Sequence, residues 1–121
     1  MIIPVNLPFG SYDITIEKDV LKKAGSLLDL NRKVLIVTDS GVPAEYSKAV
    51  AAQCKTPYIA TVPMGEESKS LEIFEELCAA LLEHGFTRSD CVVAVGGGVC
   101  GDLAGFAAAT LIKPSFMVVP P

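Results

Sequence analysis

A chain of 121 residues has room for one domain with its own core and is short for a complete nucleotide-dependent enzyme. Half of its residues are hydrophobic, 20% are charged and mean hydropathy is +0.46, so part of its apolar surface is expected to be covered by something else. A net charge of −4, a pI near 4.9 and ten scattered basic residues argue against nucleic acid as a partner.

No secretory leader is legible before the first basic residue, Lys18, and the expected setting is cytoplasmic. Residues 91–112 carry one charge, Asp102, over a length that could span a bilayer. Three consecutive glycines and a central carboxylate would leave backbone and charge unsatisfied in lipid, so a buried strand followed by a buried helix is expected and a membrane is not. The four cysteines, Cys54, Cys78, Cys91 and Cys100, form no C-x-x-C pair and are expected within helices or strands as small buried hydrophobes. Cys100 has a second reading, because a thiol near a helix N-terminus can have a lowered pKa.

Residues 2–5 and 12–16 are β-rich runs around Leu7-Pro8-Phe9-Gly10, a hairpin-like pair expected at the edge of a sheet. Residues 19–30 then place Val20, Leu21, Ala24, Leu27 and Leu28 on one helical face, which should lie on a sheet. The uninterrupted apolar run 33–39 reads as a parallel strand buried on both faces, with Asp39 at its carboxyl end. Two roles stand open for Asp39: an acceptor for a ribose hydroxyl, or the N-cap of a helix over 43–54.

A strand over 58–63 runs into Met64-Gly65-Glu66-Glu67-Ser68-Lys69-Ser70 and an amphipathic helix over 71–83, with Leu71, Phe74, Cys78 and Leu81 as its inner stripe. Glu66 and Lys69 either offer one loop's acceptor for ribose and cation for phosphate, or serve the helix dipole and solvent. The single histidine, His84, is expected near the C-cap of that helix, before Gly85. Residues 115–119 read as a last strand. Strands alternate with helices throughout, so the expected class is α/β, a Rossmann-like parallel sheet with helices on both faces behind an N-terminal hairpin-like segment.

At the centre stands Val92-Val93-Ala94-Val95-Gly96-Gly97-Gly98-Val99-Cys100-Gly101-Asp102-Leu103-Ala104-Gly105-Phe106, a strand, a glycine turn and a helix expected over 101–112. Glycines there let the backbone turn and leave its amides bare for a phosphate, and Gly96, Gly98 and Gly101 satisfy G-x-G-x-x-G. The dinucleotide fingerprint also wants an acid roughly 20 residues further on, and none follows Asp102. A turn that merely packs a helix closely on a strand is the plainer alternative.

Three stretches together resemble the 3-dehydroquinate synthase family of sugar-phosphate cyclases. They are Val37-Thr38-Asp39 with Val42, Pro63-Met64-Gly65-Glu66 with Lys69-Ser70, and the run from Gly96 to Ala108, where Gly-Asp-Leu-Ala-Gly-Phe is the most specific part. The resemblance covers nearly all of this chain but about the first third of such an enzyme, and implies one NAD-binding α/β domain over 1–121 without the family's helical, metal-binding second domain. It implies NAD and a divalent metal, zinc or cobalt, the metal held through that second domain. The implied reaction turns 3-deoxy-D-arabino-heptulosonate 7-phosphate into 3-dehydroquinate and phosphate in the shikimate pathway, with NAD recycled, in a homodimer. Carried over by position, the cofactor residues are Asp39, Gly65, Glu66, Lys69, Gly97, Gly98, Val99 and Asp102. In this family the ribose acids precede the glycine turn, which accounts for the missing later acid.

Two departures stand out. The family's Arg-Gly after the Ala-rich helix is here Lys113-Pro114, so Lys113 is the implied contact for substrate phosphate, with the charge kept and the forked geometry lost. Where the family's Pro-Thr-Thr contacts NAD, this chain reads Pro120-Pro121. Two other functions compete: a non-catalytic nucleotide-binding module, and a relative of the metal-dependent alcohol dehydrogenases, which share the glycine triplet.

Overall fold

The computed structural model describes the chain apart from residues 9, 66–69, 112–115 and 119–121. It opens with an antiparallel ribbon, β1 (Ile2–Leu7) and β2 (Gly10–Thr15), whose register runs from Ile2 opposite Thr15 to Leu7 opposite Gly10. Met1 and Ile16 close it with two bonds of 2.7 Å, from the N-terminal ammonium to the Ile16 carbonyl and from the Ile16 amide to the Met1 carbonyl. The sequence places this pair at the edge of the main sheet. It forms instead a separate two-stranded sheet that makes its contacts almost entirely within itself, leaving Ile2, Leu7, Tyr12 and Ile16 exposed.

The main sheet is parallel, in the order β4-β3-β5-β6, from β3 (Lys33–Asp39), β4 (Thr56–Val62), β5 (Cys91–Val95) and β6 (Phe116–Val118). Alternate side chains of β3 and β5 point to opposite faces, and both faces are covered. Leu35, Val37, Val92 and Ala94 pack with Leu77 and Leu81 of α3 (Leu71–Glu83) and with the small residues Cys100, Ala104, Ala107 and Ala108 of α4 (Gly98–Leu111). Val34, Ile36, Cys91, Val93 and Val95 pack the other way, on Leu21, Ala24, Leu30 and Val50. Val50 belongs to α2 (Ala44–Ala51) and Ala24 to α1 (Ala24–Leu27). The expected α/β sheet with helices on both faces is therefore what forms. Among the described residues no helix is long and apolar enough to cross a membrane.

One helix expected over 19–30 is broken. Val20–Lys23 is a 3-10 turn, α1 is a single turn, Leu28 is extended and Leu27 is 48% exposed. The cause is Gln53, just beyond α2. A continuous helix would bond the Gly25 amide to the Leu21 carbonyl, but the Gln53 side chain takes both ends: Oε1 accepts from the Gly25 amide at 2.6 Å and Nε2 donates to the Leu21 carbonyl at 2.8 Å. The lost backbone bond is replaced by two that tie this segment to α2.

α2 is shorter than the expected 43–54: Pro43 is its N-cap and Ala52 its C-cap, so Cys54 lies beyond the helix, half-buried. α3 has the expected bounds. Ser70 Oγ caps it by accepting from the Ile73 amide at 3.2 Å, His84 is the C-cap, and Gly85 at φ 67° turns the chain back. The Gly85 and Phe86 amides bond to the Leu82 and Leu81 carbonyls, and Lys33 Nζ donates to the His84 carbonyl at 2.7 Å. The inner stripe of α3 is Leu77 and Leu81 with Ile73 and Cys78 at its margin, whereas Leu71, expected on that stripe, is 71% exposed. Leu71 belongs to the first turn, which borders an open hollow instead of the core. α4 starts at Gly98, three residues before expected, because the Gly101 amide already bonds the Gly97 carbonyl at 3.1 Å.

Candidate functional site

From β3 the chain passes to β4 at one side of the sheet and then returns to β5 on the other. The connections diverge between β3 and β5, and in open α/β sheets ligands bind beyond the carboxyl ends at such a point. Asp39 ends β3 there. Thr38 pairs with Val95, so the glycine turn after β5 lies beside Asp39. The contact is close: a Cβ on Gly96 would stand 3.2 Å from Asp39 Oδ2 and 3.1 Å from the Cys100 Cβ. A Cβ on Gly96 would press on both the carboxylate and α4, which glycine avoids. Gly97 and Gly98 differ, since a Cβ on either would meet nothing within 4 Å. Both are exposed, at the start of a helix whose first-turn amides have no acceptor within the helix.

Asp39 is not the N-cap of α2, which makes no side-chain cap bond at Pro43. Its Oδ1 accepts from the Gly41 amide at 2.9 Å, and with Ser40, Val42, Ser47 and Thr61 it lines an open crevice of about 440 Å³. The end of β3 is stitched to the end of β4: the Ser40 amide donates to the Val62 carbonyl at 2.9 Å, and Ser40 Oγ accepts from the Met64 amide at 2.9 Å. Gly65 follows at φ 98°. Thr38 Oγ1, buried, donates to the Val95 carbonyl at 2.8 Å and ties β3 to β5 one residue below the site.

Of the candidate residues, Asp39, Gly97, Gly98 and Val99 stand together at the divergence point, with Val99 partly packed into the core. Asp102 is exposed one turn along α4, lining a hollow of about 340 Å³ with Leu71, Phe74, Leu103 and Phe106. Phe74 and Phe106 meet edge to face there at 6.4 Å, and Phe106 is 68% exposed. Glu66, Lys69 and Lys113 lie outside the described residues, as do Pro120 and Pro121. Sequence patterns miss Ser40 and Gly41, whose only signal is their place directly after a strand-ending acid.

Cys100 is buried beneath the turn, where its thiol donates to the Val37 carbonyl at 3.1 Å. Burial, and then the charge of Asp39, push its pKa up to about 11, the reverse of an activated thiol at a helix N-terminus. Cys54 is also raised to about 11, by burial and then Cys91. The free Cys100 thiol is thus expected to resist iodoacetamide at pH 8 until the protein unfolds, as read by mass spectrometry. Because the folded pKa exceeds the ordinary value of 9.0, this group's contribution to stability is full below pH 9 and is lost as pH rises towards 11. The unfolding free energy of wild type should fall relative to Cys100→Ser over that window; a constant difference would contradict the shift.

Among the described residues no group of three or more His, Cys, Asp or Glu side chains could hold a metal ion, so no metal chemistry is assigned to them. A dinucleotide fits better. The space that a Cβ would fill at Gly97 and Gly98 is open, it lies at a helix N-terminus, where first-turn amides lack helical acceptors, and a carboxylate stands alongside.

A family model described as 3-dehydroquinate synthase N-terminal matches residues 59–120. A 3-dehydroquinate synthase of Enterococcus faecalis is 46% identical over 99% of this chain and 36% of its own length; that of Gloeobacter violaceus is 43% identical over 92% and 33%. The chain thus spans about a third of the length of the curated relatives it matches. Among solved structures, a 2-deoxy-scyllo-inosose synthase superposes with a TM-score of 0.83 at 20% identity, over 98% of this chain and 46% of that one. A 2-epi-5-epi-valiolone synthase of Streptomyces hygroscopicus subsp. jinggangensis, with NAD+ and Zn2+ bound, reaches 0.71 at 22% identity, over 97% and 45%. At these identities the two structures speak for the fold.

Proposed function

Since this chain belongs to the 3-dehydroquinate synthase family, we propose that it is the NAD-binding N-terminal part of an enzyme converting 3-deoxy-D-arabino-heptulosonate 7-phosphate into 3-dehydroquinate and phosphate. The observation that carries this reading is the strand-ending Asp39 against a glycine turn whose outer two glycines face open space. NAD, once held by these residues, would supply reversible hydride chemistry at a ring alcohol of the substrate. The residues of this chain bind and orient. The Gly98 and Val99 amides, at the positive end of α4, receive the pyrophosphate. Asp39 accepts from a ribose hydroxyl, its carboxylate already aimed by the Gly41 amide. By their positions in the family's motifs, Gly65, Glu66 and Lys69 contact the cofactor too, Asp102 serves the nicotinamide side, and Lys113 supplies charge to the substrate phosphate. The reading extends to one domain over 1–121, a cytoplasmic homodimer, and turnover that needs the further length present in the relatives.

Thermal melting of the 121-residue chain with NAD tests this. At a concentration 100 times Kd, a ligand that binds only the folded state stabilises it by about 2.7 kcal/mol, a shift of several degrees. Wild type is expected to show that shift, and Asp39→Ala to lose most of it. No shift at millimolar NAD, or an equal shift in both proteins, would overturn the reading. Phosphate release by the chain alone with NAD and zinc should stay at the level of an Asp39→Ala, Asp102→Ala blank.

A further inference from the structure

We propose that Ser40 is a positioning residue for the dinucleotide site, acting through Asp39; the inference rests on the reading that the crevice at Asp39 takes a dinucleotide. Asp39 is the last residue of β3, and its carboxylate is aimed by the amide of Gly41, in the loop that follows. Whatever holds Gly41 therefore holds the carboxylate. The Val42 amide closes the turn by donating to the Asp39 carbonyl at 3.1 Å, and three further contacts tie it to the end of β4, two of them made by Ser40. Its amide donates to the Val62 carbonyl and its Oγ accepts from the Met64 amide, both at 2.9 Å, so the loop is pinned to the end of β4 from two directions.

The third contact is steric. A Cβ on Gly41 would stand 2.7 Å from Met64 Sδ and 3.2 Å from Asp39 Oδ1, so the Met64 side chain fills the space beside Gly41 and backs the carboxylate's partner. On its other side Asp39 has the glycine turn close by, since a Cβ on Gly96 would stand 3.2 Å from Oδ2. A carboxylate held between a fixed amide and a fixed turn presents one orientation to a ligand, and pre-organisation of this kind improves affinity by removing an ordering cost. The Ser40 hydroxyl contributes without needing to touch the ligand.

Titration with NAD separates this inference from the reading it rests on. The proteins are wild type, Ser40→Ala, Ser40→Thr, Asp39→Asn and the double variant Ser40→Ala, Asp39→Asn, with hydrogen exchange of the Met64 amide as a second readout. Ser40→Ala should weaken NAD binding by about two- to tenfold, the worth of one hydrogen bond, and speed exchange at Met64. Ser40→Thr, which keeps the oxygen, should restore both. With Asn at position 39, the Ser40→Ala change should cost no further affinity, since residues that act through one another are not additive. If wild type binds NAD and Ser40→Ala binds equally well, or if its loss persists undiminished in the Asp39→Asn background, Ser40 is not a positioning residue. Unchanged exchange at Met64 would overturn it too. If wild type does not bind NAD, the inference falls together with the reading of the site.

Discussion

A Gly98→Ala protein is expected to melt at or above the wild-type temperature and yet to lose at least about tenfold in affinity for NAD, or about 1.4 kcal/mol. Both halves come from the same observation. Gly98 is not among the residues with positive φ, and a Cβ placed on it meets nothing within 4 Å. Within a helix, alanine is favoured over glycine by about 0.5–1 kcal/mol, so the fold has no use for glycine at this position. Only a ligand that must come close to the amides has one. Gly96→Ala is the contrast, since its Cβ would press on the Asp39 carboxylate and on Cys100, and it should lower the melting temperature as well as affinity. Melting curves and NAD titration of the two proteins decide the matter. Undiminished NAD binding by Gly98→Ala would mean that the turn serves packing alone.

Leu81→Ala is expected to cost about 2–5 kcal/mol, while Leu82→Ala stays within about 0.5 kcal/mol. Leu81 is 0% exposed in the cluster with Leu35, Leu77, Phe86 and Val92, and its neighbour Leu82 is 67% exposed. Truncation at Leu81 leaves a cavity under β3 and β5, and the Phe86 amide that bonds its carbonyl closes the same turn. Because a domain holds about 5–15 kcal/mol in total, Leu81→Ala should unfold at a visibly lower urea midpoint. Equal midpoints for the two variants would show that α3 is rotated from the orientation described here.

How far such features can be read without coordinates depends on whether a pattern is local. β3 and β5 were legible because strands buried on both faces need unbroken apolar runs, and Val34 to Val37 and Cys91 to Val95 supply them. Asp39 and the glycine turn were legible as a pair for a related reason: each ends such a run, and parallel strands bring their carboxyl ends to one side. The break within 19–30 was not. Val20, Leu21, Ala24, Leu27 and Leu28 have helical spacing, and nothing near them reveals that Gln53, 28 residues beyond Gly25, takes over a rung of the helix. The stripe of α3 departs from its spacing at Leu71 because periodicity does not say which turns of a helix the rest of the fold covers. Ser40 escaped for the same reason as Gln53, its partner Met64 being 24 residues away in another loop.

The separateness of the β1–β2 ribbon bears on the order in which the chain acquires structure as it is synthesised. Each pairing in the ribbon spans at most 15 residues, from Met1 to Ile16, so it can close as soon as that segment emerges, with a small loss of loop entropy. β3 has no such freedom. One of its partners, β4, follows after a short helix, but Thr38 must wait for Val95 before its second edge is paired and its hydroxyl satisfied. For that interval an apolar strand of the nascent protein has a bare edge. The ribbon, complete and tied to little else, can do nothing to cover it, so the vulnerable period in the life of this protein falls between the synthesis of its third strand and its fifth.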